Sequence, residues 1–485
     1  MRHTAPARTA VALVAAAVLC VAGALVSAAR PAGNAAPTLI LSIVGTSDLH
    51  GYFMERANRG GLGLFAGFVN NLRAARAADR GGVLLLDAGD TFQGGVESDL
   101  SEGAVVIDAY NALGYAALAV GNHEFDFGAA DKPGARQDPR SDMRSALKAR
   151  AAQAHFPFLA ANLLDETTGR RVDWPNVRAS TVVEAAGLRV GLIGVMTIGA
   201  LRATLPLNVR GLRMAPLTET ITAEARTLRQ AGAQLVIVSA HAGGGCERFD
   251  NPLDLSTCDD AAEIFDVARE VPKGLIDAIV AGHTHAGLAH EVNGVPIVQS
   301  YWGGRAFGRI DLTVDRASGH VVSAKPFAPR EICEAQDPLT LSCDAPAGSA
   351  APLPRAMYEG RPVLEDAGIL QAMHPALARV RALESDPKFT LKNPNRVQAL
   401  IGTWARGNPS GFHRVDGEGY RWLAARLAEL DALNPQVAAR LATAFNGWQR
   451  LEPVRREQAR AAVSGLAEKR LSRNLAEIVG NMLKG

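Results

Sequence analysis

The chain has no strong excess of either charge: 51 lysine and arginine residues face 49 aspartate and glutamate residues among 485. A balanced charge gives no reason to expect a nucleic-acid polymer as a partner. Aromatic residues are sparse at 5%, which favours no class of function, and the 48% hydrophobic content is that of a globular protein. Because single cores stop growing near ~250–300 residues, the length predicts more than one domain.

Cysteine is also scarce, and its spacing disfavours a thiolate zinc site. None of the five cysteines forms a C-x-x-C pair. Apart from Cys20 near the N-terminus, the chain contains Cys246, Cys258, Cys333 and Cys343. An even set in an exported chain indicates disulfides. Of the three possible connectivities, the short spacing favours 246–258 and 333–343.

The H-E-x-x-H motif of zinc peptidases is absent. The two His-Glu pairs begin at His123 and His290, and the residues four positions later are Phe127 and Gly294. A second histidine at that spacing is needed to meet the first on one helix face. A zincin site is therefore excluded.

One long apolar run is present, and it lies at the N-terminus. Arg2 and Arg8 precede TAVALVAAAVLCVAGALVSAA, which ends in small residues as secretory signals do. We expect residues 1–29 to be a signal peptide, cleaved after Ala29, and the protein to be periplasmic or extracellular. The alternative is an uncleaved membrane anchor, because the run is about long enough to span a bilayer.

Short apolar runs alternate with helical patterns from residue 38 to about 315. The runs predicted to be buried strands are LILSIVGTS (39–47), VLLLDAG (83–89), YAALAVG (115–121), RVGLIGV (189–195), QLVIVSA (234–240) and DAIVAG (277–282). Helices are predicted at 63–79, 102–114 and 216–232. This alternation is typical of an α/β fold in which helices cover a sheet.

The pattern changes after residue 330. Residues 331–384 contain the second cysteine pair and the proline-rich stretch DAPAGSAAPLPRAM, and we interpret them as a linker. From residue 385 to 485 consecutive amphipathic patterns predict a small all-helical domain. Stacked helices of this kind generally serve as scaffold or interface, so this domain is expected to be non-catalytic.

Side chains that bind metals recur where the predicted strands end. They are Asp48 and His50 in SDLHG, Asp90 in DAGD, Asn122 and His123 in GNHE, His241 in SAH, and His283 and His285 in GHTH. Open α/β sheets build their sites beyond the carboxyl ends of strands. The D-x-H and H-x-H spacings place both members on one side of an extended segment, so the set can converge.

These ligand types predict a centre with two divalent cations. The Asp90 carboxylate can bridge two ions while imidazoles and an amide fill the other positions, and manganese or zinc fits this mixture of nitrogen and oxygen. Two ions ~3.5–4 Å apart can activate water and hold the attacking and leaving oxygens of an in-line displacement. The predicted chemistry is hydrolysis of phosphate esters.

The motifs SDLHG, DAGDTFQG, GNHEFDFG, SAHAGGG and AGHTHAG resemble those of the calcineurin-like metallophosphoesterases, and among them the exported 5'-nucleotidases and UDP-sugar hydrolases. The resemblance implies a metallophosphoesterase domain at 38–330, a layered β-sandwich flanked by helices. It implies that one metal is held by Asp48, His50, Asp90 and His285, and the other by Asp90, Asn122, His241 and His283.

In this family His123 corresponds to the catalytic histidine, which stabilises the transferring phosphoryl group or protonates the leaving oxygen. Asp126 is then its orienting partner. A carboxylate beside an imidazole fixes its tautomer and raises its basicity, which agrees with these roles. Glu124 and Phe125 are interpreted as packing or surface residues.

Residues 385–485 resemble the terminal helical region of aminopeptidase N, whose peptidase site would lie far upstream. The substrate-binding domain of the nucleotidases, with its aromatic clamp for the base, is not found in the sequence. The leading hypothesis is a two-metal phosphoesterase in which a metal-bridging hydroxide attacks a nucleotide or nucleotide sugar. The alternatives are a fusion product that is inactive or only binds partners, and a phosphodiesterase or sulfur-ester hydrolase. Oligomeric state is not predicted.

Overall fold

The structure, a computed structural model, describes residues 37–56, 59–130, 141–346, 351–373, 383–387, 389–407, 409–414, 416–451 and 453–484. The predicted signal peptide at 1–29 lies outside the described residues. Within the described ranges, no helix is both long enough and apolar enough to cross a membrane.

The first sheet has seven strands with a parallel centre. In spatial order its strands are β15 (Val321–Glu331), β14 (Ala306–Asp315), β1 (Thr38–Thr46), β2 (Gly82–Asp87), β3 (Ala117–Ala119), β4 (Phe158–Leu159) and β6 (Val177–Arg178). Strands β1 to β4 and β6 run parallel, whereas β14 pairs antiparallel with both β1 and β15. The carboxyl ends of β1, β2 and β3 therefore lie at one edge.

The second sheet has six strands. Their order is β12 (Gly287–Val292), β13 (Val295–Ser300), β11 (Ala278–Ala281), β10 (Leu235–His241), β8 (Leu188–Met196) and β7 (Ser180–Ala185). Strands β8, β10, β11 and β13 are parallel, and the two outer strands are antiparallel. Among the described residues, two small pairs complete the strands: β5 (Leu163–Asp165) with β9 (Leu212–Met214), and β16 (Met357–Tyr358) with β17 (Arg361–Pro362).

The two sheets pack face to face, and helices cover both outer faces. Leu41 and Leu84 of the first sheet share a buried cluster with Ile237 and Val280 of the second. The helices of this region are α1 (Leu62–Ala78), α2 (Val96–Asp99), α3 (Ala104–Leu113), α4 (Ser145–Gln153), α5 (Pro206–Val209), α6 (Leu217–Gln230) and α7 (Glu263–Glu270). Helices α1, α3 and α4 pack on the first sheet, and α6 and α7 on the second. The predicted α/β sandwich flanked by helices is confirmed.

The described part of the predicted linker is packed rather than extended over the surface. Helix α8 (Ala367–Ala372) contacts α1 and α3. Val363 and Ile369 are buried in the same cluster as Phe65 of α1. The chain up to residue 373 therefore adds to the core of the sheet region.

The tail is all-helical, as predicted. Its helices are α9 (Pro394–Val397), α10 (Thr403–Gly407), α11 (Pro409–Phe412), α12 (Glu418–Asp431), α13 (Pro435–Ala442), α14 (Pro453–Ala467) and α15 (Arg473–Lys484). Trp404, Tyr420 and Phe445 are buried in its separate core, against which Leu100 of the sheet region packs. The tail thus contacts the segment just after α2.

Two disulfides join the pairs that the short spacing favours. Cys246 is bonded to Cys258, and Cys333 is bonded to Cys343. Each closes a short surface loop within the sheet region, of sequence separation 12 and 10 respectively. Such bonds form and persist in oxidising compartments.

Candidate metal centre

The strand-end side chains singled out from the sequence lie together where five strands finish. Asp48 and His50 follow β1, Asp90 follows β2, and Asn122 and His123 follow β3. His241 is the last residue of β10, and His283 and His285 follow β11. Because the two sheets pack face to face, side chains that follow strands of both sheets lie together at the edge formed by the carboxyl ends of these strands.

Five of these residues have a left-handed backbone, which is uncommon outside glycine. The φ angles are 51° at Asp48, 49° at His50, 57° at Asp90, 77° at His283 and 57° at His285. Each such residue costs of order 1–3 kcal/mol and persists only where its surroundings enforce it. The strain therefore concentrates in the turns that aim the polar side chains at one another.

One group of donors consists of Asp48, His50 and His285, whose ligand atoms all lie within 4.8 Å of one another. Nε2 of His50 is 3.0 Å from Nε2 of His285, and Nε2 of His285 is 3.5 Å from Oδ1 of Asp48. Asp48 is fully buried. The backbone N–H of His283 donates to both oxygens of Asp48, at 3.0 and 3.1 Å.

A second group contains Asp90, His241 and His283. Nε2 of His241 lies 3.1 Å from Oδ2 of Asp90, from Nδ1 of His283 and from Oδ1 of Asn122. The other Asp90 oxygen accepts the backbone N–H of His123 at 2.8 Å. Asp90, Asn122 and His241 are all buried.

The donor set fits divalent cations. Ligands about 2.0–2.2 Å from one ion lie roughly 3–3.5 Å apart at its usual angles, and the nitrogen–nitrogen distances of 3.0 and 3.1 Å match this spacing. Nδ1 of His50 faces the Gln93 carbonyl at 3.1 Å, and Nδ1 of His241 faces the Ala88 carbonyl at 2.8 Å. Carbonyls only accept, so the neutral rings present their Nε2 lone pairs to the centre.

Burial keeps two of the histidines neutral. It lowers the pKa of His50 and of His283 to about 4, although the charge of Asp90 opposes the shift at both. Burial also lowers the pKa of His285. Neutral imidazoles near pH 7 are the form that binds metals.

His241 and Asp90 form a buried ion pair, with Nε2 of His241 3.1 Å from Oδ2 of Asp90. Burial acts to lower the pKa of His241, but the charge and hydrogen bond of Asp90 outweigh it and raise that pKa to about 10. Burial raises the pKa of Asp48 to about 7. A cation bound here would replace the proton of His241, so its binding would release protons.

His123 and Asp126 form a hydrogen-bonded pair on the rim. Nδ1 of His123 lies 2.6 Å from Oδ2 of Asp126, and this bond raises the pKa of His123. The ring of His123 is 5.0 Å from that of His50. The pair lines an open cavity of about 740 Å³, which gives a substrate access to the imidazole.

Glu124 corrects the sequence interpretation, because it is neither a surface residue nor simple packing. It is buried, and its carboxylate accepts the backbone N–H groups of Asp90 (2.9 Å), Thr91 (2.6 Å) and Gly121 (2.7 Å). Burial and the charge of Asp90 raise its pKa to about 7. Phe125 is buried in the core, as the packing interpretation expects.

The turn held by Glu124 has no room for a side chain at Gly121. A Cβ atom there would lie 2.3 Å from Oδ1 of Asp90 and 2.9 Å from Cε1 of His241. Glycine is therefore required for the backbone to approach both predicted ligands. In the G-N-H-E stretch, Gly121 thus lets the backbone approach Asp90 and His241, and Asn122 offers a candidate ligand oxygen. His123 offers an imidazole, and Glu124 holds the Asp90 turn by hydrogen bonds.

Replacing Glu124 by glutamine should loosen the Asp90 turn. The glutamine side chain has one acceptor oxygen for the three backbone N–H groups. Its own NH₂ group would face backbone donors, with which it cannot form a hydrogen bond. We expect a loss of about 2–3 kcal/mol in the free energy of unfolding and metal binding weakened by roughly 10-fold or more. Urea unfolding and metal titration measure both effects. Glu184→Gln, on the exposed face of β7, is the matched control, and equal behaviour of the two variants would contradict this role.

Two further residues support the site and carried no sequence signal. The Thr204 hydroxyl donates to the backbone carbonyl of Asn122 at 3.1 Å. The side-chain amide of Asn208 donates to the backbone carbonyl of Phe125 at 2.8 Å. They lie 82 and 83 positions from their partners. Only the folded chain brings this loop against the turn that carries His123.

Comparisons with known proteins match the two regions separately. The sequence model of calcineurin-like phosphoesterases matches residues 41–287, and that of a domain of unknown function described as ARM repeats matches residues 369–484. The 5'-nucleotidase of Vibrio cholerae is 27% identical over 310 residues, covering 59% of this chain and 51% of that protein. Aminopeptidase N of Escherichia coli is 45% identical over 101 residues, covering 20% of this chain and 12% of that protein.

A solved structure shares the fold. The calcineurin-like phosphoesterase YfkN of Bacillus subtilis has a TM-score of 0.52 at 21% identity, covering 72% of this chain and 99% of that chain. The chain spans about half the length of the 5'-nucleotidase it matches. Because the phosphoesterase model covers about half of this chain, within the region that forms the two sheets and their strand-end site, the chain belongs to the calcineurin-like phosphoesterase family.

Proposed function

We propose that this protein is a divalent-metal phosphoesterase that hydrolyses small phosphate esters, with nucleotides or nucleotide sugars as substrates. The observation that carries the proposal is the meeting of two carboxylates, four imidazoles and an amide at one strand edge, with His123 beside them. The predicted metal ligands remain Asp48, His50, Asp90, Asn122, His241, His283 and His285. The similarity to the 5'-nucleotidase of Vibrio cholerae supports the substrate class.

Divalent ions bound here would activate a water molecule and neutralise charge on the phosphoryl oxygens. The chain's own contribution is to hold its donors at fixed spacing before the ions arrive. The positive φ angles and the N–H bonds to Glu124 and Asp48 supply that rigidity. A donor set fixed in advance loses less entropy on binding a cation.

His123 acts on the leaving group in this proposal. Its Nδ1 proton is held by Asp126, so a second proton on the ring sits at Nε2. Since the hydrogen bond raises the pKa of His123, the imidazolium form is favoured. Nε2 can then donate to the oxygen that leaves phosphorus, which lowers the energy of the departing alkoxide.

The disulfides and the N-terminal apolar run support a location outside the cytoplasm. Two disulfides are formed, and the N-terminal run has the composition of an export signal. We therefore place the enzyme in an oxidising compartment, either the periplasm or the outside of the cell.

A substrate panel tests the proposal. Chelated protein should have no activity, and added Mn²⁺ or Zn²⁺ should restore hydrolysis of p-nitrophenyl phosphate, AMP and UDP-glucose. Stoichiometric metal without turnover on any substrate would support the inactive or binding alternative instead. Faster cleavage of bis-p-nitrophenyl phosphate than of the monoesters would identify a phosphodiesterase.

A further inference from the structure

A cavity of about 430 Å³ opens beside the metal centre on the side of His285, and the chemistry assigned above does not use it. Its volume is within the roughly 300–1,000 Å³ of small-molecule sites. Among the described residues that line the cavity, Glu331 is the one carboxylate. The cationic and aromatic side chains outnumber it; they are Arg59, Arg305, Arg330, Tyr301 and Trp302. The lining suits a ligand that is flat and rich in acceptors.

The turn that carries Trp302 is fixed on the metal centre. The backbone N–H of Gly303 donates to the carbonyl of Asp48 at 2.7 Å. Gly303 and Gly304 have φ angles of 69° and 65°. A Cβ on Gly304 would lie 2.8 Å from Cδ1 of Leu49, so the turn sits directly on the Asp48 segment. Trp302 is therefore held at the border between the centre and the cavity.

His285, Trp302 and Arg305 form a layered stack along this border. The rings of His285 and Trp302 are 5.6 Å apart with an interplanar angle of 16°. Cζ of Arg305 lies 4.7 Å from the centre of the Trp302 ring, and its Nε donates to the Trp302 carbonyl at 3.3 Å. The Trp302 ring therefore contacts both a predicted metal ligand, His285, and the guanidinium of Arg305.

The guanidinium at the end of the stack is available to a ligand. Arg305 is exposed and lines the cavity. Among the residues that the structure describes, no carboxylate lies within ion-pair distance of it, whereas Arg59 pairs with Glu331 and Asp344. A guanidinium plane stacks on aromatic rings and its edge donates several hydrogen bonds.

We infer that the Trp302–Arg305 stack is the subsite for the leaving group, and that this group carries a flat aromatic ring such as a nucleobase. The inference rests on the proposed function, because the phosphate must sit at the metal centre while the ring reaches the cavity. The base stacks on the outer plane of Arg305, whose N–H groups point sideways from the stack. Stacking on such platforms tolerates different bases.

The test compares substrates that differ in the leaving group. AMP has an aromatic base, whereas glycerol 2-phosphate has none. Arg305→Ala should lower the ratio of kcat/KM for AMP over glycerol 2-phosphate by roughly 5- to 100-fold. Arg305→Lys keeps the charge and loses the plane, so it should not restore the ratio. Full restoration by lysine would show that charge alone acts and would overturn the stacking subsite.

Binding of adenosine separates this inference from the proposed function. Calorimetry should detect adenosine binding to the parent protein, weakened by the same factor in Arg305→Ala. This measurement does not depend on turnover, so the subsite can stand or fail by itself. Arg202→Ala, in the cavity beside His123, is the control. If Arg202→Ala weakens adenosine binding and Arg305→Ala does not, the subsite has been assigned to the wrong cavity.

Discussion

Replacing Asp90 by asparagine is expected to abolish metal binding and hydrolysis together. Asp90 is the residue common to two of the donor groups, one with His50 and His123 and one with His241 and His283. Asparagine has nearly the same size but lacks the negative charge, and it places a donor where an acceptor is needed. A neutral amide cannot supply the negative charge that a carboxylate shared between two cations would provide.

The measurement is the number of ions per chain, by elemental analysis after dialysis, alongside turnover of p-nitrophenyl phosphate. We expect the variant to hold fewer than one ion and to show no activity above background. Asp173→Asn, at an exposed position, should match the parent in both respects. If Asp90→Asn still binds two ions and hydrolyses the substrate, Asp90 is not a metal ligand.

The second large effect is expected at His123, and it should separate chemistry from metal binding. His123→Asn should retain both ions while kcat falls by ~10²–10⁴, the usual contribution of general acid–base catalysis. The backbone N–H of His123, which donates to Asp90, is kept in the variant. The side chain is on the rim and half-exposed, where it lines the open cavity beside the buried donors.

Asp126→Asn tests the same pair and should have a smaller effect on kcat than His123→Asn. It keeps the shape of the pair but removes the charge next to Nδ1 of His123, so kcat should fall less than in His123→Asn. Metal content should stay at the parental value in both variants. Hydrolysis at the parental rate by His123→Asn would show that another group assists the leaving oxygen.

The sheets could be predicted from the sequence because both faces of each are covered. A strand buried on two sides reads as a continuous apolar run, as LILSIVGTS and QLVIVSA do. The predicted strands at 39–47 and 234–240 correspond to β1 at Thr38–Thr46 and β10 at Leu235–His241. The packing of α8 was not predictable, because it depends on contacts with α1 and α3, which lie hundreds of residues earlier in the chain.

The grouping of the candidate metal ligands could be predicted in outline from their places at the ends of apolar runs. Asp48, His50, His283 and His285 stand directly after apolar runs, and carboxyl ends of parallel strands meet at a sheet edge. Glu124 could not be identified in this way, since its role depends on N–H groups 33 and 34 positions away. Polar residues that act through distant backbone donors leave no local pattern.

The most direct test of the account is to soak crystals of the parent protein in Mn²⁺ and collect data at the manganese edge. We predict two anomalous peaks, ~3.5–4 Å apart, with the carboxylate of Asp90 between them and His241 and His285 on opposite sides. A single peak, or peaks remote from Asp90, would contradict the two-cation centre on which the proposed function depends.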